Sequence, residues 1–352
     1  MHSVRPRRPT LRDVAQRAQV SPTTASFVLA GRDDMRISDD ARHRVLRAAA
    51  ELSYRPNLTA RSLRTKVTRT IALVSDTIAT EQYAGGLIDG SLSAALAHDH
   101  LLFVSESEGD PEVEARLVED LLGRQVDGFV YASMFTRQVK IPRALVDHPL
   151  VLLNCTTRDA RIPTVLPDEV GAGRVAARAL LDRGHREGIY VVGEPDVDVF
   201  AARERMAGIL AALADAGAEL AGVLDCAWWP EAAYDAVSRF LRLGRLPSAL
   251  VCMNDRVAFG TYQALQEAGV GIPGDVSVVS FDDSDLASWL RPQLTSVALP
   301  HHDLGWRAVE LLLAADPAHP ATEIERLPMP LRERLSVGPP RTPACAPAEH
   351  SA

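Results

Sequence analysis

Five short apolar runs in this 352-residue sequence end at a side chain able to accept or donate hydrogen bonds. Asp76 follows residues 71–75, Glu106 closes 101–106, Asn154 closes 151–154, Asn254 follows 249–253 and Asp282 follows 277–281. Carboxylates accept from vicinal hydroxyls and amides both accept and donate, so such groups converging on one cleft suit a polyhydroxylated ligand. Taken singly, each has a plainer use as a helix cap or turn residue, because Asp and Asn bond readily to neighbouring backbone. Five at equivalent strand ends favour the ligand. Nothing in the sequence points to catalysis. The first strand–helix turn, Val74-Ser75-Asp76-Thr77-Ile78-Ala79-Thr80-Glu81, carries neither G-x-G-x-x-G nor a Walker sequence. No H-E-x-x-H, G-x-S-x-G or clustered metal spacing occurs. Gly171-Ala172-Gly173 offers two glycines, but Asp168-Glu169 before them would repel a phosphate. The expectation is a protein that is no enzyme, with no cofactor and no metal.

A second set of residues is suited to nucleic acid. Residues 1–69 hold 15 Lys and Arg against 6 Asp and Glu, a balance of +9, while the remainder holds 23 against 40, a balance of −17. The acidic net charge of −8 therefore hides a basic module that can meet phosphate. Within it, Thr10 can cap a helix with Asp13 three positions on, and Leu11, Val14, Ala15 and Ala18 then share a face. Gln19-Val20 makes a turn. Ser21-Pro22 opens a second helix with a cap and a first-turn proline, and Gly31 stops it. Ser38 caps a third helix with Ala41, Val45, Leu46, Ala49 and Leu52 on its buried stripe. This is a helix-turn-helix pattern. A protein-binding three-helix module is the alternative. Short hydroxyl side chains at the start of helix two count against it, because they let that N-terminus approach phosphates and base edges. Residues 54–65 then offer a helix of under two turns, capped by Asn57, flanked by Arg55, Arg61 and Arg64, and carrying Leu63 with no core to enter. A basic linker is the plain reading. A helix that folds on DNA and wedges its leucine between base steps explains more of the segment.

The elements that must position the first set come from an alternating pattern. Strand-like runs at residues 71–75, 101–106, 128–132, 151–154, 189–193, 249–253 and 277–281 alternate with helical runs at 112–124, 172–183, 201–216 and 256–268. Such strands imply parallel sheets covered on both faces, in two similar halves divided near Val165. By their place in the pattern, residues 294–299 and the helix around 304–314 could return to the first half. The four cysteines lack paired spacing and no signal-peptide-like stretch opens the chain, which suits a cytoplasmic protein. The same absence and the +9 module weigh against a DNA-free sugar-binding protein with merely structural N-terminal helices.

Thr10-Leu11-Arg12-Asp13-Val14-Ala15, Val20-Ser21-Pro22-Thr23-Thr24, Tyr54-Arg55-Pro56-Asn57 and Ala60-Arg61-Ser62-Leu63-Arg64-Thr65 closely resemble the headpiece and hinge of the lactose-repressor (LacI/GalR) family. Arg183-Gly184-His185-Arg186, Ala202-Arg203-Glu204-Arg205-Met206-Ala207-Gly208, Asn254-Asp255-Arg256-Val257-Ala258-Phe259-Gly260 and Val276-Ser277-Val278-Val279-Ser280-Phe281-Asp282-Asp283 resemble later motifs of that family in order. The resemblance spans residues 9–338. It implies an all-α helix-turn-helix headpiece at 9–56, a hinge at 57–68 and an α/β periplasmic-binding-protein-like effector domain at 69–338. That domain would have two Rossmann-like lobes with parallel sheets: lobe one at about 69–164 plus 299–328, lobe two at about 165–298 plus 329–338. The proline-rich tail at 339–352 is expected to be disordered, with no tetramerising coiled coil.

By the same resemblance Pro22, Thr23 and Phe27 occupy base-reading positions. Thr10, Ser21, Thr24, Ser26, Ser38 and Asn57 would meet phosphate, with Leu11 and Tyr54 beside them, and Ala60 and Leu63 would enter the minor groove. Phe27 departs from an arginine and Ala30 from an asparagine common in the family, so the operator base read there should differ. Arg205, Asn254 and Asp282 match positions that hold effector hydroxyls or carboxylates. Either Trp228 or Trp229 falls where an aromatic stacks on a sugar ring, and His301 where another ring closes the site. Asp76, Tyr83, Glu106 and Asn154 are first-lobe candidates, and Glu81-Gln82-Tyr83 departs from the family's Asn-Pro-Phe. The implied function is a sequence-specific transcriptional regulator, a repressor, controlled by a sugar or sugar-derived effector. Its implied partners are a palindromic operator and a second copy of the chain as a homodimer, with no membrane.

Overall fold

The structure, a computed structural model, describes residues 9–31, 36–55, 67–79, 85–159, 161–193, 199–314 and 324–341. The chain divides between Thr68 and Arg69 into two units.

The N-terminal unit holds α1 (Leu11–Ala18), α2 (Pro22–Leu29) and α3 (Asp39–Glu51). Each begins on a hydroxyl side chain that accepts an otherwise orphaned backbone N–H. Thr10 Oγ1 accepts from Asp13 N at 3.3 Å while Asp13 Oδ2 accepts from Thr10 N at 2.7 Å, a reciprocal box. Ser21 Oγ accepts from Thr24 N at 3.0 Å, and Ser38 Oγ from Ala41 N at 3.3 Å. Gln19 turns the chain out of α1 with φ 55°, in the left-handed region. The core is small-sided: Val14, Ala15 and Ala18 meet Ala25, Val28, Val45, Ala48 and Ala49. Alanines let these short helices approach closely, at the cost of little buried apolar area. Leu46 is a correction to the expected stripe on α3. It is 49% exposed, and Ala48 takes the inward place instead.

The second unit contains two six-stranded sheets. The first is built from β1 (Thr70–Ser75), β2 (Leu101–Glu106), β3 (Gly128–Gln138), β4 (Leu150–Thr156), β5 (Thr164–Pro167) and β11 (Ile324–Leu327), in the order β11-β5-β4-β3-β1-β2. The second is built from β6 (Ile189–Val192), β7 (Leu220–Leu224), β8 (Ala249–Cys252), β9 (Ser277–Asp282), β10 (Thr295–Ala298) and β12 (Leu331–Arg332), in the order β12-β10-β9-β8-β6-β7. All pairings are parallel except β10 with β12. The near-continuous apolar strands are accounted for by helices on both faces. In lobe one, Gly85–Ala97 and His301–Ala314 cover Ile71, Leu73, Val130 and Leu153, and Pro111–Gly123 covers Ala72, Val74 and Phe129 from behind. In lobe two, Glu169–Leu181 and Phe200–Asp215 cover Val191, Val251 and Phe281, while Pro230–Arg242 and Asp255–Glu267 cover Val192, Leu250 and Val278.

The chain passes between the sheets three times: after β5, between β10 and His301–Ala314, and between β11 and β12. These passages lie side by side. Asp168 N donates to Leu327 O and Ala298 N to Pro330 O, both at 2.8 Å. The first crossing, expected near Val165, comes after β5, which ends at Pro167 and stays paired to β4. One expectation from the alternating pattern is corrected: residues 294–299 do not return to the first half, because β10 pairs with β9, as the lobe-two bounds of about 165–298 have it, and the chain crosses back with the following helix. No helix among the described residues is long and apolar enough to cross a membrane.

Candidate functional site

In the headpiece, the hydroxyls expected to meet phosphate sit at helix starts. Ser21, Pro22 and Thr23 are exposed on the first turn of α2, and Ser38 is exposed at the start of α3. Thr24 Oγ1 lies 2.8 Å from Ser21 Oγ, and Ser26 and Phe27 are half-buried. A hydroxyl-rich first turn places donors beside the positive end of the helix dipole, the arrangement that attracts a phosphate oxygen. Thr10 is the α1 cap, while Leu11 and Tyr54 pack partly against the headpiece core. Asn57, Ala60 and Leu63 lie outside the described residues, as does Tyr83.

In the second unit, a cavity of about 290 Å³ opens between the carboxyl ends of the two sheets. Asn154, Arg205, Trp228, Asn254, Asp282 and His301 all line it. Arg205 is placed by close helix packing. A Cβ on Gly173 would stand 2.0 Å from Arg205 O, and one on Gly208 would stand 2.0 Å from Val170 O. Only glycine at both positions lets Glu169–Leu181 and Phe200–Asp215 touch backbone to backbone. That contact brings the Glu169 and Arg205 side chains together. Arg205 Nε donates to Glu169 Oε2 at 2.7 Å, Nη2 to Oε1 at 3.1 Å and Nη1 to Met253 O at 2.5 Å. Asp282 Oδ1 lies 3.5 Å from Nη2. The guanidinium also sits 4.6 Å from the Phe281 ring centroid and 5.4 Å from that of Trp228. Burial pushes the Glu169 carboxyl above its ordinary range, against the pull of the Arg205 charge.

The other cleft groups have double duties. Asn254 Oδ1 caps Asp255–Glu267 by accepting from Val257 N at 2.8 Å, so the plain cap reading and the cleft position hold together. Asn154, at φ 54°, donates through Nδ2 to Ser133 O and Met134 O, both at 3.0 Å, and accepts from Thr136 Oγ1 at 2.6 Å. Asp283, beside Asp282, accepts from Arg334 Nη2 at 2.6 Å. Burial lowers the pKa of His301, with the Asp282 charge opposing, so its ring is neutral at pH 7. Behind the cleft, Asp255 accepts from Ser284 N at 2.7 Å and Ser296 Oγ at 2.9 Å. Burial, helped by the charge of Asp282, pushes the Asp255 carboxyl up to about 7.

Three candidates lie away from the cavity. Trp229 is 56% exposed under the Arg256 guanidinium, whose Cζ stands 4.8 Å from the ring centroid, so Trp228 is the tryptophan at the cleft. Asp76 turns sideways. Its Oδ2 accepts from Ser133 Oγ at 2.7 Å and Arg137 Nη2 at 2.8 Å, and its Oδ1 from Met134 N at 2.8 Å. It borders a separate cavity of about 230 Å³ that also touches Ser107, Glu114 and Tyr131. Glu106 accepts from Ala79 N. Conversely, Met134, Phe135, Thr136 and Glu169 line the main cavity without having been picked out. Continuing β3 through the β-forming run Met134-Phe135-Thr136 would have found the first three. Glu169 carried only the signal of an acid at a helix start. Among the described residues no group of three or more His, Cys, Asp or Glu side chains could hold a metal ion.

Comparison with known proteins places both units. Residues 10–57 match the model of bacterial regulatory proteins of the lacI family, and residues 71–331 match that of periplasmic binding proteins and the sugar binding domain of the LacI family. The ribose operon repressor of Haemophilus influenzae is 31% identical over 313 residues, covering 86% of this chain and 91% of that repressor. Catabolite control protein A of Staphylococcus aureus is 30% identical over 305 residues, with 86% and 91% covered. Among solved structures, the lac repressor dimer bound to operator and the anti-inducer ONPF superposes with a TM-score of 0.76 at 24% identity, over 94% of this chain and 100% of that one. The complex of the transcriptional regulator CelR with cellobiose gives a TM-score of 0.63 at 28% identity, with the same coverage. With both units matched in order along the sequence, the chain belongs to the LacI family of bacterial regulatory proteins.

Proposed function

We propose that this chain is a cytoplasmic, non-enzymatic repressor that binds a palindromic operator as a homodimer and is controlled by a sugar held between its lobes. The observation that carries the reading is the convergence of Asn154, Arg205, Trp228, Asn254, Asp282 and His301 on one cavity at the carboxyl ends of two parallel sheets. An indole, amides and carboxylates around one space match the flat faces and hydroxyl edges of a sugar ring. We assign the effector to these six residues and leave out Asp76, Glu106 and Trp229. Residues 9–56 and the hinge at 57–68 are assigned to DNA, and 69–338 to effector binding and dimerisation. Pro22, Thr23 and Phe27 read bases; Thr10, Ser21, Thr24, Ser26, Ser38 and Asn57 hold phosphates; Ala60 and Leu63 enter the minor groove. The lac repressor crystallised on operator is a dimer, and the CelR structure is a complex with cellobiose. Both support the reading by relationship.

Coupling follows from linkage. An effector that changes lobe closure and thereby the pairing of two headpieces alters operator affinity by roughly 5–150-fold for a coupling of ~1–3 kcal/mol. A gel shift on operator fragments, repeated across salt concentrations and with a panel of sugars, purines and amino acids, tests the proposal. Binding should weaken steeply with salt and change with a sugar. A response confined to a purine or amino acid would remove the sugar. Selection of sites from random DNA should return a half-site whose pair opposite Phe27 is not guanine-directed, because a phenylalanine packs on a thymine methyl and cannot grip guanine.

A further inference from the structure

We infer that the cleft takes an uncharged polyhydroxylated ligand and excludes the phosphorylated and carboxylated forms of the same sugar. The inference rests on the reading of this cavity as a sugar site and names the ligand's charge.

The cavity is acidic in composition and its positive charge is already spent. Glu169, Asp282, Asp283 and Asp285 line it, and Arg205 is its single Lys or Arg among the described residues. An anion-binding arginine presents its planar fork to the ligand. Here Glu169 occupies the fork in bidentate geometry, Met253 O takes Nη1, and Asp282 stands beside Nη2. Glu169 and Arg205 are each 2% exposed, so the pair is a built, desolvated unit that no ligand can open cheaply. Arg334 and Arg332 reach Asp283 at the rim, at 2.6 and 3.6 Å, yet both are outside the lining and are taken by that carboxylate. The neutral ring of His301 adds no charge at pH 7.

A guanidinium held this way keeps N–H directions for a hydroxyl oxygen but cannot compensate a second anion. A phosphate or carboxylate entering the cavity would face uncompensated like charge in a partly desolvated space, where screening by salt is weak. Hydroxyls meet no such barrier. They can donate to Asp282 and accept from amide or guanidinium N–H groups.

The test uses the full-length protein and matched pairs in calorimetry: ribose with ribose 5-phosphate, glucose with glucose 6-phosphate, and glucose with glucuronate. Cellobiose, purines and amino acids complete the panel. The expected result is binding of a neutral sugar with its anionic counterpart at least tenfold weaker. Equal or tighter binding of the anionic member overturns the inference and leaves the sugar reading standing. Binding of a purine or amino acid with no sugar of either charge overturns both. A second arm removes the internal compensation. In Glu169→Gln, glucose 6-phosphate should raise the thermal midpoint, an effect absent in the unaltered protein. Should that variant not fold, Asp282→Asn keeps the buried pair and should narrow the neutral-to-anionic gap at least threefold. A glucose 6-phosphate response in the unaltered protein at less than ten times the glucose concentration that gives the same shift, or no response in either folded variant, overturns the inference.

Discussion

The two lobes share one architecture and answer one rule differently. In lobe two, the polar residues that end apolar strands, Asn254 and Asp282, face the cleft. In lobe one Asn154 does so as well, whereas Asp76 and Glu106 occupy equivalent ends and do not. Glu106 is taken by Ala79 N; for Asp76 the reason lies in β3, which continues past Ala132 to Gln138 with a register shift against β4. The extension carries Ser133, Met134 and Arg137 over the end of β1, where they consume Asp76 through three hydrogen bonds. What it covers it also replaces: Met134, Phe135 and Thr136 become the cavity wall on that side. A strand-end acid thus stays open to the cleft only where no neighbouring strand extends over it first.

That contrast can be broken experimentally. The largest effect is expected from Arg205→Met, which strands Glu169 as an uncompensated buried acid. Unfolding by urea should show a loss of about 3–5 kcal/mol, and a loss under 1 kcal/mol would contradict the buried pair. Next comes a paired comparison across the lobes. Asp282→Asn should weaken effector binding by about 1–3 kcal/mol with little change in stability. Asp76→Asn should do the reverse, destabilising by about 1–3 kcal/mol while effector affinity stays within twofold. Equal effects on affinity would erase the distinction between the lobes.

The pH axis sharpens it further. Asp255 in lobe two has a folded-state pKa of about 7, above that of the unfolded chain. Between an unfolded value near ~4 and about 7, the native protein keeps a proton that the unfolded chain has released. This group's contribution therefore falls as pH rises through that window and levels off above it. Urea melts from pH 4.5 to 7.5 should show the Asp255→Asn variant gaining relative to the unaltered protein as pH rises; a constant difference would refute this. The smallest effect is expected at Phe135, 59% exposed on the lobe-one wall. Phe135→Ala should change stability by less than about 0.5 kcal/mol and reduce effector affinity a few-fold in calorimetry.

Much of this is legible in the sequence wherever the determining interaction is local. Thr10, Ser21 and Ser38 declare helix starts because a cap bonds within three residues. The apolar strands declare a two-faced sheet because burial on both sides tolerates no alternation. Where the partner is distant, sequence is silent. Glu169 and Arg205 are 36 residues apart and meet through two glycines on different helices. The choice between Trp228 and Trp229 depends on the angle at which one loop enters Pro230–Arg242, with Trp229 already at the cap position. Leu46 fits a helical stripe drawn on α3 alone, yet the inward face is set by α1 and α2, which meet Val45, Ala48 and Ala49. Residues 294–299 ended in the second sheet because pairing with β9 outweighed what their place in the chain implied.

The three passages between the lobes, tied to one another through Asp168, Leu327, Ala298 and Pro330, act on degrees of freedom. Two bodies joined at a single point swing and twist independently. Joined by three short segments side by side, they keep one soft coordinate, a bend that widens or narrows the cleft, because torsion and sliding would strain all three segments together. Work done at the cavity is thereby geared into a single angle instead of being dissipated over many.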